Sequence, residues 1–267
     1  MQWELSTPVD LEKMAKEEKL CIVPIGVLER HGEHLPLGTD GLVAHKIAVE
    51  ASKIEPCAVF PVYWFGQVHE AKFSVGAVSF ESDFTLTLLR NLCDEIGRSG
   101  FTKIMFVNGH GGNGSLLSYF LFSTMDKNVP YTLYSVMYDS GLTPSEREEA
   151  DSYMAADSGG HADKWETSLV MSVAPESVKM EYQRFPEPIN AMGRVKHLGR
   201  VFTPFSWYAS FPEHVTGSPS MANKEAGDKL IELYAKVLAR DIKAVKGDNV
   251  VESLRDEFMK RKNSIGK

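Results

Sequence analysis

Four short apolar runs constrain this chain more than any other feature: "LCIVPIGV" (20–27), "CAVFPVYW" (57–64), "KIMFVNG" (103–109) and "YTLYSVMY" (131–138). Each is shorter than an ordinary helix and apolar at most positions, the pattern of a strand buried on both faces. Between them lie stretches with apolar residues at helical spacing: "GLVAHKIAVEASKI" (41–54), "DFTLTLLRNLCDEIGRSG" (83–100) and "NGSLLSYFLFSTM" (113–125). Asp83 is placed to cap the second of these, and Gly100 to end it. A further helix is expected to begin near Trp165, and a long one covers 222–245. This alternation predicts a single α/β domain with a central parallel or mixed β-sheet flanked by helices on both faces. No repeat, low-complexity tract or linker divides residues 1–267, and a hydrophobic content of 43% supports one sizeable core. Residues 141–164 and 176–220 lose the periodicity and are rich in Gly, Pro, Ser and aromatics. Loops of that length read as lids or rims.

The charge balance narrows the partners. A net charge of −7 leaves no basic excess to neutralise phosphates, so nucleic acid is not expected. The basic C-terminal "RDEFMKRKNSIGK" reads as a solvated helix end. No stretch approaches the ~18 consecutive apolar residues of a membrane span, and the N-terminus lacks an apolar core of signal-peptide length. The expectation is a cytoplasmic protein with no membrane partner. Cys21, Cys57 and Cys93 are odd in number and form no CxxC pair, which leaves neither a zinc ribbon nor a redox motif.

The chemistry concentrates in three segments. Ligands of α/β sheets gather beyond the carboxyl ends of the strands, and both "GVLERHGEHLPLGTD" (26–40) and "NGHGGNG" (108–114) follow predicted strands at that edge. In an extended segment, residues i and i+2 share a side. Glu29 and His31 therefore face one point, with Arg30 turned away. The Pro–Gly stretch "LPLG" can fold the chain back to bring Asp40 to the same point, although Asp40 also suits a helix N-cap. His34 reads as a packing or supporting residue. "NGHGGNG" has two readings. Gly109, Gly111 and Gly114 satisfy G-x-G-x-x-G between a strand and a helix, the loop of an NAD-dependent oxidoreductase, with Asp126 or Asp139 near the ribose position. Alternatively, the glycines turn the backbone so that His110 reaches a metal. In "GGHADKWETSLV" (159–170), Glu166 has an ordinary place in the first turn of a helix, and His161 could be a loop histidine.

Taken together, Glu29, His31, Asp40, His110 and Glu166 offer three carboxylates and two imidazoles. That set suits borderline divalent ions, zinc first with manganese or iron as alternatives, and suits Ca²⁺ poorly. Five ligands exceed the need of one catalytic zinc. They fit two ions roughly 3.5–4 Å apart that share a carboxylate. Such a pair makes hydroxide available at neutral pH to attack a carbonyl. Trp165, Trp207, Tyr208 and Phe211 are candidate pocket walls.

The three motifs resemble those of the creatininase (creatinine amidohydrolase) family. "PIGVLERHGEHLPLGTD" fits P-x-G-x-x-E-x-H-G-x-H-L-P-x-x-T-D at every fixed position, "VNGHGGN" is similar to the second family motif, and "GGHADKWETS" to the third, H-A-x-x-x-E-T-S. The resemblance covers roughly residues 20 to 240. It implies a layered α/β fold, homo-oligomers that are often hexamers, and two divalent ions held by Glu29, His31, Asp40, His110 and Glu166, with Asp40 bridging and His161 near a small-molecule substrate as the catalytic proton donor. The departures bear on that substrate. Gly111 and Gly112 stand where creatininase proper has Tyr and a metal-binding Glu, Asp157 lies near the position of a substrate-packing aromatic, and His69 and Glu70 occur in reversed order. The resemblance thus implies a metal-dependent amidohydrolase acting on a small cyclic molecule other than creatinine. Family branches that trim a peptide, or open the ring of a keto-inositol by hydrolytic C–C cleavage, offer alternatives.

Overall fold

The structure is a computed structural model, and it describes residues 1–154, 160–183 and 193–265. At its centre is a four-stranded parallel sheet in the order β2-β1-β3-β4. The strands are β1 (Leu20–Ile25), β2 (Ala58–Val59), β3 (Lys103–Asn108) and β4 (Thr132–Met137). β1 and β3 pair in full register from Leu20↔Lys103 to Ile25↔Asn108, and all positions of both are buried. Alternate residues of each strand enter different cores. Leu20, Ile22, Met105 and Val107 point to one face, and Cys21, Val23, Ile104 and Phe106 to the other. That double burial is why the strands read as continuous apolar runs rather than alternating ones.

The first face is covered by α2 (Thr39–Ile54), α5 (Pro144–Met154), α6 (Lys164–Val173) and α8 (Lys224–Gly247). The second is covered by α1 (Pro8–Glu17), α3 (Ser82–Arg98) and α4 (Asn113–Ser123). A short α7 (Ser206–Ser210) and a C-terminal α9 (Val250–Ser264) complete the described helices. The expected single α/β domain is the one observed.

Several local expectations need correcting. The second apolar run yields a strand of only two residues. Ile22 and Pro24 accept hydrogen bonds from Phe60 and Tyr63 on the β2 side, so the N–H that Pro24 lacks would have faced β2. Pro61 also lacks an N–H, and the ladder parts between the two prolines. Asp83 is not the cap of α3. Glu81 occupies that position, and Asp83 sits in the first turn, where the helix dipole favours a carboxylate. Gly100 does end the helix, at φ +100°, directly after the C-cap Ser99. α5 lies inside a stretch read as a loop, because its charged sequence buries only Ala150 and Met154. Among the described residues no helix is long and apolar enough to cross a membrane.

The strand order positions the site. From β1 the chain moves outward to β2, then crosses back beyond β1 to β3 and β4. The winding direction reverses between β1 and β3, and the crevice at their carboxyl ends is where doubly wound sheets bind ligands. Two glycines let the start of α2 press into that crevice. A Cβ on Gly26, just past β1, would collide with the backbone of Gly41, and one on Gly109, just past β3, would lie 2.5 Å from the Asp40 carbonyl oxygen.

Candidate metal centre

All five expected donors meet in this crevice. Glu29 and His31 are 1% and 0% exposed, while Arg30 turns outward to pair with Glu33 and, at 2.8 Å, with Glu213. The loop between them and α2 folds back as expected, with the Glu29 N–H donating to the Leu37 carbonyl at 3.0 Å. Asp40 is the second residue of α2 and caps nothing. Its carboxylate divides instead: Oδ1 lies 3.0 Å from His31 Nε2, and Oδ2 lies 3.1 Å from His110 Nδ1. His110 Nδ1 is also 2.9 Å from Glu29 Oε1, and His31 Nε2 is 3.6 Å from Glu166 Oε2. Two groups of donors result, Glu29–His110–Asp40 and His31–Glu166–Asp40, with one Asp40 oxygen in each.

The supports are local. Asn108 holds the backbone of His110 from both sides, accepting its N–H at 3.0 Å and donating to its carbonyl at 2.9 Å. Asp163 caps α6 by accepting from Trp165 and Glu166, and Glu166 Oε2 accepts the Ala162 N–H at 2.6 Å. His34 is 2% exposed and bonds Thr167 Oγ1 at 2.9 Å, a supporting position.

This arrangement fits cations better than it fits itself. Glu29 Oε1, Asp40 Oδ2 and His110 Nε2 are buried without a hydrogen-bond partner, even though Glu29 and Asp40 lie close to His110 Nδ1. Buried polar atoms are rarely left so. Donors about 2.1 Å from one ion stand roughly 3.0–3.4 Å apart at octahedral to tetrahedral angles, close to the separations found here. The charges agree. Burial opposes ionisation of His31, yet Asp40 and Glu166 raise it to about 10. His110 is likewise raised, against its burial, by Glu29 and Asp40. Burial would also lift Glu29 and Asp40, but the neighbouring imidazoles outweigh it and hold both carboxyls low. Glu166 is pushed up to about 8 by burial, with Asp40 adding to it. Raised imidazoles beside lowered carboxyls are the signature of a site that favours positive charge.

His161 faces the centre from the α6 side. Its ring stacks on His31 with centroids 4.1 Å apart, and Nε2 lies 2.9 Å from the Arg30 carbonyl. That carbonyl accepts Nε2–H and leaves Nδ1 as the acceptor nitrogen. Burial, then His31, lowers the imidazole to about 4, so it stands neutral. Trp207 packs edge-on to His161 at 5.6 Å and, with Phe73, Tyr208 and Gly112, lines a cleft of 820 Å³. Phe211 backs Trp207 at 4.9 Å. Trp165 is not among the residues that line this cleft; it packs, partly buried, against the core of the first sheet face. His69 and Glu70 line the cleft, whereas Asp157 lies outside the described residues. One group escaped the sequence reading. His214, from "FPEHVTG", is fully buried with Nδ1 3.4 Å from Glu29 Oε2. Nothing in its spacing marks it, and only folding brings it to Glu29.

The fold and this cluster define a metal-dependent hydrolase of the α/β class. The chain belongs to the creatininase (creatinine amidohydrolase) family, whose sequence model matches residues 4–242. It is 23% identical over 265 residues to a 3-dehydro-scyllo-inosose hydrolase from Thermotoga maritima, covering 90% of this chain and 83% of that protein. It is 32% identical over 168 residues to a mycofactocin precursor peptide peptidase from Mycolicibacterium smegmatis, covering 60% of each. The solved manganese form of creatininase shares the fold, with a TM-score of 0.73 at 17% identity over 92% of this chain and 99% of that one. Membership in a hydrolase family removes the dinucleotide reading of the glycine loop. In the structure that loop delivers His110 to Glu29 and Asp40, and its ring takes up the loop's inner side, against Gly112.

Proposed function

We propose that residues 1–267 act as one two-metal amidohydrolase that opens an amide C–N bond in a small cyclic substrate. The divided Asp40 carboxylate carries this reading, since a single oxygen in each donor group is the arrangement a bridging ligand requires. Glu29, His110 and Asp40 would hold one ion, and His31, Glu166 and Asp40 the other. When bound, the ions supply a hydroxide at neutral pH and polarise the substrate carbonyl. Zinc is the first expectation for a mixed imidazole–carboxylate set, with manganese or iron as alternatives.

The chain's own residues do the rest. Neutral His161 takes up at Nδ1 the proton that the hydroxyl gives up after adding to the carbonyl, and returns it to the leaving nitrogen as the C–N bond breaks. Its Nε2–H bond to the Arg30 carbonyl fixes that tautomer. Trp207, Tyr208 and Phe73 form an aromatic wall that excludes water from one side of the substrate. Creatinine is not the proposed substrate. The resemblance places the metal-binding Glu of creatininase proper at Gly112, so that ligand is missing here, and a Cβ at this position would start 2.5 Å from His110 Nε2. Exposed Phe202 and Phe205 beside the cleft are proposed as a contact between copies in a homo-oligomer, which light scattering would detect.

A second reading keeps the site and changes the bond: hydrolytic C–C opening of a keto-inositol ring. The relative of that activity, matched over 90% of this chain, favours it. The test is elemental analysis of protein purified without added metal, followed by assays of cyclic amides, short peptides and keto-inositols with and without chelator. Close to two transition-metal ions per chain and chelator-sensitive turnover of a cyclic amide support the first reading. Turnover of the keto-inositol alone supports the second. Protein that contains no metal and ignores chelator contradicts both.

A further inference from the structure

His214 occupies its position against three separate penalties. Its backbone has φ +51°, a left-handed conformation that favours glycine. The ring is fully buried, and neither Nδ1 nor Nε2 has a hydrogen-bond partner. A glycine at 214 would remove the backbone strain, and a phenylalanine would fill the same space without a stranded polar atom. Strain and unmet polarity of this kind mark functional positions.

The surroundings show what the ring faces. Phe73 and Trp207 pack against it edge-on at 5.4 and 6.2 Å, and His161 lies at 5.7 Å. These neighbours hold the ring in place and satisfy neither nitrogen. The Gly32 N–H donates to the His214 carbonyl at 3.1 Å, which ties this loop to the one carrying Glu29 and His31. Glu29 presents Oε1 to His110 at 2.9 Å and Oε2 to His214 at 3.4 Å. The second separation matches two donors about 2.1 Å from one tetrahedral ion. One ring nitrogen each of His214 and His161 and a Glu29 oxygen also fall within 4.8 Å of one another.

We infer that His214 is a further metal ligand, binding through Nδ1 to the ion held by Glu29 and His110. This assignment rests on the two-ion reading and deepens it. It makes the Glu29 position richer in imidazole than the His31 position, so the two ions differ in affinity and the Glu29 ion leaves last.

The test uses the full chain in three forms: wild type, His214→Phe, which keeps a buried ring, and His214→Gly, which relieves the backbone. Chelator competition should show one of the two ions bound about 10–100-fold more weakly in both variants, the other being unchanged; loss of even a supporting contact has effects of this size. Added imidazole should restore the lost affinity in His214→Gly, where the ring has left a void, and not in His214→Phe. X-ray absorption of the zinc-loaded wild type should count three imidazoles across the two ions. Wild-type affinity in both variants, or a loss that imidazole does not restore together with a count of two, would overturn the assignment while leaving the two-ion reading intact. A wild type that binds no ion would remove both.

Discussion

His31 Nε2 and Asp40 Oδ1, nine residues apart in the chain, meet at 3.0 Å, and both side chains are buried. The other Asp40 oxygen faces His110, so this one side chain serves both donor groups. Asp40→Ala should therefore remove both ions together, whereas His110→Ala should remove chiefly one. Metal content per chain, measured after gel filtration, distinguishes the two. Full metal in Asp40→Ala would show that Asp40 does not bridge.

The glycine loop offers a separate test of close approach. A methyl group at Gly109 would press on the Asp40 carbonyl oxygen at 2.5 Å and on Ala44 at 3.0 Å, forcing α2 away from β3. Gly109→Ala should destabilise by about 1–3 kcal/mol, as overpacking does. In a chain of this size that is a drop of roughly 2–4 °C in Tm per kcal/mol. Gly111 has nothing within 4 Å of an added Cβ, so Gly111→Ala should melt within a degree or two of wild type. Equal losses at the two positions would mean that the approach of α2 does not set the requirement for glycine.

Much of this was legible in the sequence for physical reasons. Strands buried on both faces leave long apolar runs, and Glu29 and His31 share a side because extended backbone alternates. The Pro–Gly turn before Asp40 is a local signal too. What stayed hidden depends on long-range assembly. His214 reaches Glu29 only after the segment beyond α7 packs across the site, through the Thr216 N–H bond to the His161 carbonyl at 2.9 Å. The shortness of β2 depends on two prolines meeting across a ladder that neither reveals alone. α5 was missed because few of its residues are buried and no apolar stripe marks it.

His161 separates chemistry from metal binding. It touches the centre through its stack on His31, and its Nε2 is committed to the Arg30 carbonyl. His161→Asn should lower kcat about 10²–10⁴-fold, the range for loss of a general acid–base group, with KM little changed and both ions retained. Loss of an ion in this variant would instead make His161 a ligand.

Protonation supplies the last prediction. In the metal-free protein His31 is raised to about 10 and Glu166 to about 8, against unfolded values near 6.5 and 4.5. The folded chain thus holds more protons than the unfolded one, up to pH 8 for Glu166 and up to pH 10 for His31. Stability from His31 is complete below pH 6.5 and disappears as pH rises through 10, and that from Glu166 declines between 4.5 and 8. Both fall together from pH 6.5 to 8, so chelated protein should lose Tm across that interval. On the acid side His34 and His161, each lowered to about 4, act in the opposite sense and erode stability as pH drops below 6.5. Loading with metal must strip the protons from His31, His110 and Glu166, which makes binding tighter as pH rises. Calorimetry of zinc loading at pH 7, in two buffers with different ionisation heats, should show more than one proton released per chain. Heats independent of the buffer would mean that these imidazoles do not bind the ions.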